Sequence, residues 1–313
     1  MTLSEPTRAA LQTSISAAWI AVDWGTSNMR AWAMGQDDAV LARTANGKGM
    51  GQLRPEAFED ALIEAVGDWL SKDRRIPVIA CGMVGARQGW IEAPYAQVPT
   101  TPIAATMTRA PANDPRIEVV IVPGVCQRRP ADVMRGEETQ IAGYVALKGD
   151  RGIICMPGTH SKWAEVEGGE IKRFRGAMTG EIFALLAEQS VLRHSVAGDE
   201  WDDGEFASGV ETALEDPAIL TQLFSIRARS LLEGTGAGAS RARLSGLLIG
   251  SELAGTADFW RQAKVSLIGA PKLAALYSQG LAVAGGVAEM LDGEDMTLAG
   301  LCAARRALGE TEK

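Results

Sequence analysis

Histidine is almost missing: across 313 residues only His160 and His194 carry an imidazole. A histidine metal centre or a Ser/His/Asp triad has little to be built from, and acid–base work falls to carboxylates. Cysteine is equally thin. Cys81, Cys126, Cys155 and Cys302 are scattered without CxxC spacing or a secretory signal, which reads as reduced, buried thiols in a cytoplasmic protein. No apolar run approaches the roughly 18 residues of a membrane span, so no membrane partner is expected. Positive charge never gathers into a block. With 31 Lys plus Arg against 39 Asp plus Glu the net charge is −8, which argues against a nucleic-acid surface and leaves any small anionic ligand to local groups.

The length is too great for one small core and fits two domains. Residues 1–18 read as a flexible N-terminal extension, 19–150 as one domain and 151–313 as a second. Strands are predicted at 19–23, 29–34 and 40–44, forming a β-meander. A helix follows over 55–70, with Pro55 at its first position and Phe58, Ala61, Leu62, Ala65, Val66, Trp69 and Leu70 at helical spacing. Short apolar strands at 77–81 and 118–122 suggest a mixed sheet buried on both faces, and 93–115 reads as an irregular insertion. The meander then repeats with strands at 152–156, 163–167 and 170–175. Beyond Thr179 the chain reads as helical, interrupted by a flexible 234–240 segment and a strand at 265–268.

Each meander contains the same kind of turn: Asp23-Trp24-Gly25-Thr26-Ser27-Asn28 in the first and Pro157-Gly158-Thr159-His160-Ser161-Lys162 in the second. Glycine opens backbone angles closed to other residues, and Thr or Ser adds a hydroxyl to a row of N–H donors, as a polyphosphate chain requires. Two such turns suggest a two-jawed phosphate clamp. Asp23 would hold Mg²⁺ or merely cap its turn. Lys162 and Arg30 follow their turns and could neutralise phosphate or a substrate carboxylate; His160 could donate to phosphate or only pack the turn. Glu137 and Glu138 open a helix, where acids suit the helix dipole, but a hydroxyl attacking a γ-phosphate also needs a base, and Glu137 is the first choice for it with Glu138 second. Thr179 reads most simply as an N-cap and Glu181 as a first-turn acid, each with a substrate role as the other reading. The Gly246/Gly250 spacing means close helix packing or a purine slot, and Ile268-Gly269-Ala270-Pro271 a strand-to-helix junction that could serve a nucleotide.

The runs DWGTSNMRAW (23–32), CGMVGARQGW (81–90), APYAQVP (93–99), VMRGEETQ (133–140), MPGTHSKW (156–163), MTGE (178–181) and SGLLIGSEL (245–253) together resemble the 2-dehydro-3-deoxygalactonokinase family, within the sugar kinase, heat-shock ATPase and actin superfamily. That resemblance implies an α/β fold of two ribonuclease-H-like domains with mixed sheets, helices on their faces and an interdomain cleft. It implies transfer of phosphate from ATP with Mg²⁺ to the 6-hydroxyl of 2-dehydro-3-deoxy-D-galactonate. Residues 23–28 and 157–162 would then be the phosphate motifs and 268–271, with Gly269, would lie against the adenosine. The superfamily often opens its second phosphate motif with an acid or glycine, from which Met156-Pro157 departs. A sugar-acid carboxylate needs a cation, and Arg87, Arg135 and Arg30 are the candidates. The alternative reading is a phosphohydrolase of the exopolyphosphatase type; a third is a non-catalytic or filament-forming ATPase. Neither the choice between galactonate and gluconate epimers nor assembly into a homo-oligomer follows from the sequence.

Overall fold

The structure, a computed structural model, describes residues 16–103, 106–216 and 218–311. The chain divides into two compact units, Met1–Glu92 with Thr108–Ile121 and Ala93–Met107 with Val122–Lys313.

In the first unit β1 (Trp19–Trp24), β2 (Met29–Met34) and β3 (Val40–Asn46) form the expected antiparallel meander. A helix α1 (Phe58–Val66) leads to β4 (Ile76–Gly82), which lies parallel to β1. After β5 (Tyr95–Gln97), which belongs to the second unit, β6 (Thr108–Arg109) and β7 (Ile117–Ile121) complete a sheet of order β3-β2-β1-β4-β7-β6. Its central strands are near-continuous apolar runs because both faces are covered. The helix predicted over 55–70 is shorter. Tight 3₁₀ turns at Pro55–Ala57 and Gly67–Trp69 flank α1, whose buried Phe58, Ala61, Leu62 and Val66 keep a single apolar stripe.

The second unit starts with a small sheet in which β5 pairs with β8 (Gly124–Arg128) and β8 with β9 (Ala131–Met134). After α2 (Glu137–Leu147) the meander returns as β10 (Gly152–Met156), β11 (Ser161–Glu167) and β12 (Glu170–Ala177). Helices α3 (Thr179–Glu188), α4 (Asp203–Glu215), α5 (Leu220–Leu232), α6 (Ala237–Gly255) and α7 (Ala257–Trp260) follow. The chain then runs through β13 (Lys264–Gly269), α8 (Pro271–Val283), β14 (Val287–Asp292) and α9 (Gly293–Thr311). The main sheet has the order β12-β11-β10-β13-β14, with β13 parallel to both β10 and β14. Strand for strand this repeats β3-β2-β1-β4-β7 of the first unit. Gly246 and Gly250 of α6 face the backbone of α4 so closely that a Cβ at either would overlap Phe206 or Val210, which bears out the close-packing reading of that spacing.

Several boundaries differ from expectation. Of the proposed extension, Met1–Ile15 lies outside the described residues, but Ala17 is buried and its N–H donates to Trp69 O, so the fold begins before residue 19. The segment 234–240 is a short connection only, since α6 starts at Ala237. Strands β5 and β6, inside the stretch 93–115 expected to be irregular, and β8, β9 and β14 were not foreseen; β14 is a sheet edge whose sequence lacks a continuous apolar run. Residues 122–150, assigned from sequence to the first domain, pack with the second unit because α2 lies directly on α9. A Cβ on Gly143 would overlap Met296, and one on Gly300 would overlap the Thr139 carbonyl. Among the described residues no helix is long and apolar enough to cross a membrane.

Candidate active site

In the first unit the glycine turn sits at the carboxyl end of β1, beside the parallel strand β4, the position where open α/β sheets bind ligands. The turn closes with Gly25 N–H donating to Asn28 O at 2.9 Å and leaves the side chains of Thr26, Ser27 and Asn28 exposed. It is braced from behind: Met50 and Gly51 N–H donate to the carbonyls of Gly25 and Thr26, both at 2.9 Å, and Gly49 lies so close that a Cβ would overlap the Thr26–Ser27 backbone. Trp24 anchors the strand end, its indole N–H donating to Lys48 O at 2.8 Å and its ring packing on Phe58 and Trp90. The Gly47–Gly51 brace escaped the sequence reading, although its three glycines in five residues were the available signal.

Asp23 is half-buried at the end of β1, and one oxygen accepts from Arg30 Nη2 at 2.5 Å and Nε at 3.2 Å. Arg30 therefore meets Asp23 on the adjacent strand, and its role as a carboxylate binder is in competition with that pair. Cys81 Sγ lies 3.9 Å from the other Asp23 oxygen. Arg87 is exposed, with Glu92 its salt-bridge neighbour at 3.9 Å.

The second unit brings most of the remaining candidates to one place. Gly136, at φ 108°, turns the chain into α2, a conformation that glycine alone adopts cheaply. The two acids that follow satisfy N–H groups that a helix start leaves open. Glu137 accepts from Arg135 N–H at 2.9 Å, and Glu138 from Gly136 N–H at 2.9 and 2.7 Å and from the Thr139 hydroxyl at 3.1 Å. Their surroundings then diverge. Glu138 is fully buried, and desolvation, with the neighbouring Glu137 charge adding to it, pushes its carboxyl up to about 8. Glu137 is half-exposed; desolvation raises it too, but Lys162 and His160 lie near enough to favour its charged form.

Lys162 is buried and donates to Asp132 Oδ1 on β9 at 2.9 Å, while the other Asp132 oxygen accepts from Gly176 N–H. Asp132, which the sequence reading passed over, thus sets where the Lys162 ammonium stands relative to Glu137. The second turn itself is tied to the start of α3, with Glu181 N–H donating to Thr159 O and Gly180 in close contact with the Gly158 carbonyl. The Glu181 carboxylate pairs with His160 Nε2 at 2.6 Å. Gly269 at the end of β13 abuts the same turn: a Cβ there would come within 3.1 Å of the Pro157 carbonyl. Arg135 is buried, donates through Nη2 to Ala93 O at 2.7 Å and lies over the Tyr95 ring at 4.3 Å, leaving Nε and Nη1 without partners.

Thr179 is not an N-cap; Met178 occupies that position, and the Thr179 hydroxyl turns inward to Glu252. Glu252, on α6, is the buried hub that sequence reasoning missed. Ser161 at 3.1 Å, Trp163 at 2.7 Å, Tyr277 at 2.6 Å and Thr179 all donate to it, and burial still raises its pKa. Four donors from β11, α3 and α8 on one carboxylate lock the strand that leaves the second glycine turn against the helices beside it. Its signal was a lone acid inside the apolar run Leu247-Leu248-Ile249-Gly250-Ser251-Glu252-Leu253.

Two sheets of one topology, each opening on a hairpin with a glycine turn, define a protein of the actin-like ATPase and sugar kinase fold class. The activator of 2-hydroxyisocaproyl-CoA dehydratase from Clostridium difficile shares the fold at a TM-score of 0.51 and 12% identity, over 94% of this chain and 97% of that one. Within this class the chain belongs to the 2-keto-3-deoxy-galactonokinase family, whose profile matches residues 23–304. A Rhizobium meliloti (strain 1021) protein assigned as a 2-dehydro-3-deoxygalactonokinase is 42% identical over 303 residues, covering 93% of this chain and 97% of its own length. The 2-dehydro-3-deoxygalactonokinase of Escherichia coli (strain K12) is 36% identical over 270 residues, 85% of this chain and 89% of that protein. The crystal structure of a Sinorhizobium meliloti protein with the same assignment matches at a TM-score of 0.86 and 41% identity, over 93% of this chain and 99% of that one.

Proposed function

We propose that the protein transfers the γ-phosphoryl group of ATP to the 6-hydroxyl of 2-dehydro-3-deoxy-D-galactonate, giving the 6-phosphate and ADP. Family membership together with the paired glycine turns carries the reading. Gly25, Thr26, Ser27 and Asn28 in one unit and Gly158, Thr159, His160 and Lys162 in the other are the phosphate-binding groups, with Gly269 toward the nucleoside.

Glu137 is the base. It is half-buried, and the Lys162 charge beside it works against the desolvation that raises its carboxyl, whereas fully buried Glu138 is raised further and serves the helix start. Lys162 stands near that base and offsets negative charge gathering on the transferred group. Arg135, with two unpartnered guanidinium N–H sites, is the best-suited cation for the sugar-acid carboxylate. Arg87 is a second candidate; Arg30, Thr179 and Glu181 are already engaged by protein partners and are assigned positioning roles.

Mg²⁺ that arrives on the nucleotide needs few protein groups to hold it. Asp23 would hold it, and bound Mg²⁺ would neutralise charge on the phosphates. No observation favours the phosphohydrolase alternative. The deciding measurement is ADP release from ATP with and without 2-dehydro-3-deoxygalactonate. Release that depends on the sugar acid is expected, and equal release without it would remove the kinase assignment.

A further inference from the structure

The pair formed by Lys162 of β11 and Asp132 of β9 is built more closely than docking one sheet on another requires. The edge strand β12 already holds the small sheet through Phe174 N–H, which donates to Gln127 Oε1 at 3.0 Å, and through the bridge between Thr100, just past β5, and Ile171. Asp132 adds a tie of another kind. One of its oxygens accepts from Lys162 Nζ at 2.9 Å and the other from Gly176 N–H, so both ends of the carboxylate are fixed. Gly176 closes the slot: a Cβ there would overlap Lys162 Nζ and come to 3.0 Å from both Asp132 oxygens. The two side chains are largely out of water, at 10% and 17% exposure. Burying an ammonium with a carboxylate stabilises a fold no better than apolar groups of the same volume, so stability alone does not account for the pair.

Beside the pair stands Glu137. The charges that act on it are Lys162, His160 of the second turn, itself paired with Glu181 of α3, and Glu138 on its own helix. Arg135, two residues earlier, directs its guanidinium to Ala93 O and the Tyr95 ring, and α9, packed on α2, meets it through the uncharged Met296, Thr297 and Gly300. No ion pair joins Lys162 to Glu137: among the described residues the carboxylate that the ammonium meets is Asp132. A carboxylate in direct contact with an ammonium is a weak base, because taking up a proton forfeits that contact. We propose that Asp132 is a positioning residue: by engaging the Lys162 ammonium it holds that charge off Glu137, leaving the cation to the transferred phosphoryl group and the base free to accept a proton. This rests on the reading of Glu137 as the base of a kinase.

A double-mutant cycle on the full chain, read as sugar-acid-dependent ADP release across pH, tests it. An asparagine at 132 can accept from only one of the two donors there. Asp132→Asn is therefore expected to lower kcat by up to about a hundredfold, the scale of a misplaced catalytic group. It should also move the acid limb of kcat/KM down by about one pH unit, as the freed ammonium closes on Glu137. In a Lys162→Met background the same substitution should cost less than about twofold in kcat and leave the limb in place, since the cation it acts through is gone. Gly176→Ala changes no charge but displaces Lys162 Nζ, and should move the limb in the same direction, which keeps the proposal testable if Asp132→Asn does not fold. Equal losses in both backgrounds, or lowered stability with an unmoved acid limb, would show that Asp132 only docks the sheets and would overturn the proposal. An acid limb that survives in Glu137→Gln, or wild-type ADP release independent of the sugar acid, would instead remove the reading on which it rests.

Discussion

At the residue scale the two neighbouring acids are set apart by burial. Successive side chains on a helix point about 100° apart, so Glu138 turns into the core and Glu137 toward Lys162 and His160. Glu137→Gln is expected to lower kcat by about 10²- to 10⁴-fold with nucleotide affinity retained, and Glu138→Gln to leave most activity. Steady-state kinetics on the two variants rank them; the reverse order would transfer the role. Because the Glu137 carboxyl is raised above its ordinary value, kcat/KM should fall with acid at a pH above the usual carboxylate range, and this limb should vanish in Glu137→Gln. Glu138 has a separate pH signature. Below about pH 4.5 the folded and unfolded chains both carry its proton, whereas between there and about 8 only the unfolded chain releases it. Its contribution to stability is therefore complete in acid and is lost as pH rises through that window. Urea unfolding between pH 5 and 8 should show a smaller decline in Glu138→Gln than in the wild type, the difference reaching a few kcal/mol at most.

At the element scale, glycines decide how close helices come. Helix α2, which presents both acids, rests on α9 through Gly143 and Gly300, and a Cβ at Gly300 has no room beside the Thr139 carbonyl. The obstructing atom is backbone, so the helices must move apart to accept it. Gly300→Ala is expected to destabilise by about 1–3 kcal/mol, as overpacking does, despite the higher helix propensity of alanine. Chemical denaturation measures it, and a neutral or stabilising result would mean that α2 is not seated as described. The same contact accounts for the expected domain border at 150 being misplaced. Residues 133–150 follow the first meander in sequence, but the partner surface of α2 lies more than 140 positions further on, beyond any local pattern.

At the scale of the molecule, one topology appears twice, and each copy carries a glycine turn proposed to bind phosphate. A nucleotide that binds only the folded protein stabilises it by mass action, by about 2.7 kcal/mol at a hundredfold excess over Kd. For compact units of this size that corresponds to a rise of several degrees in Tm, measurable by calorimetry with and without ATP and Mg²⁺. An unmoved transition at saturating nucleotide would count against the phosphate-turn assignment. With the acidic balance of the chain, the response should be specific to nucleotides and sugar acid and absent with nucleic acid.

Both meanders, their glycine turns and the acid pair were legible in the amino-acid sequence alone, because each is local. Apolar runs of five or six residues, a glycine where the chain reverses and acids at a helix start leave their marks within a dozen positions. Strands 29–34 and 152–156 coincide with β2 and β10 for that reason. What only the tertiary structure decided is which groups are spent on one another. Asp23 meets Arg30 across a hairpin, Lys162 meets Asp132 from another sheet, and Thr179 turns from a cap position to Glu252, 73 residues away. An ion pair or a buried hydrogen bond needs a few ångströms of separation and exclusion of water, and neither quantity is written in spacing along the chain.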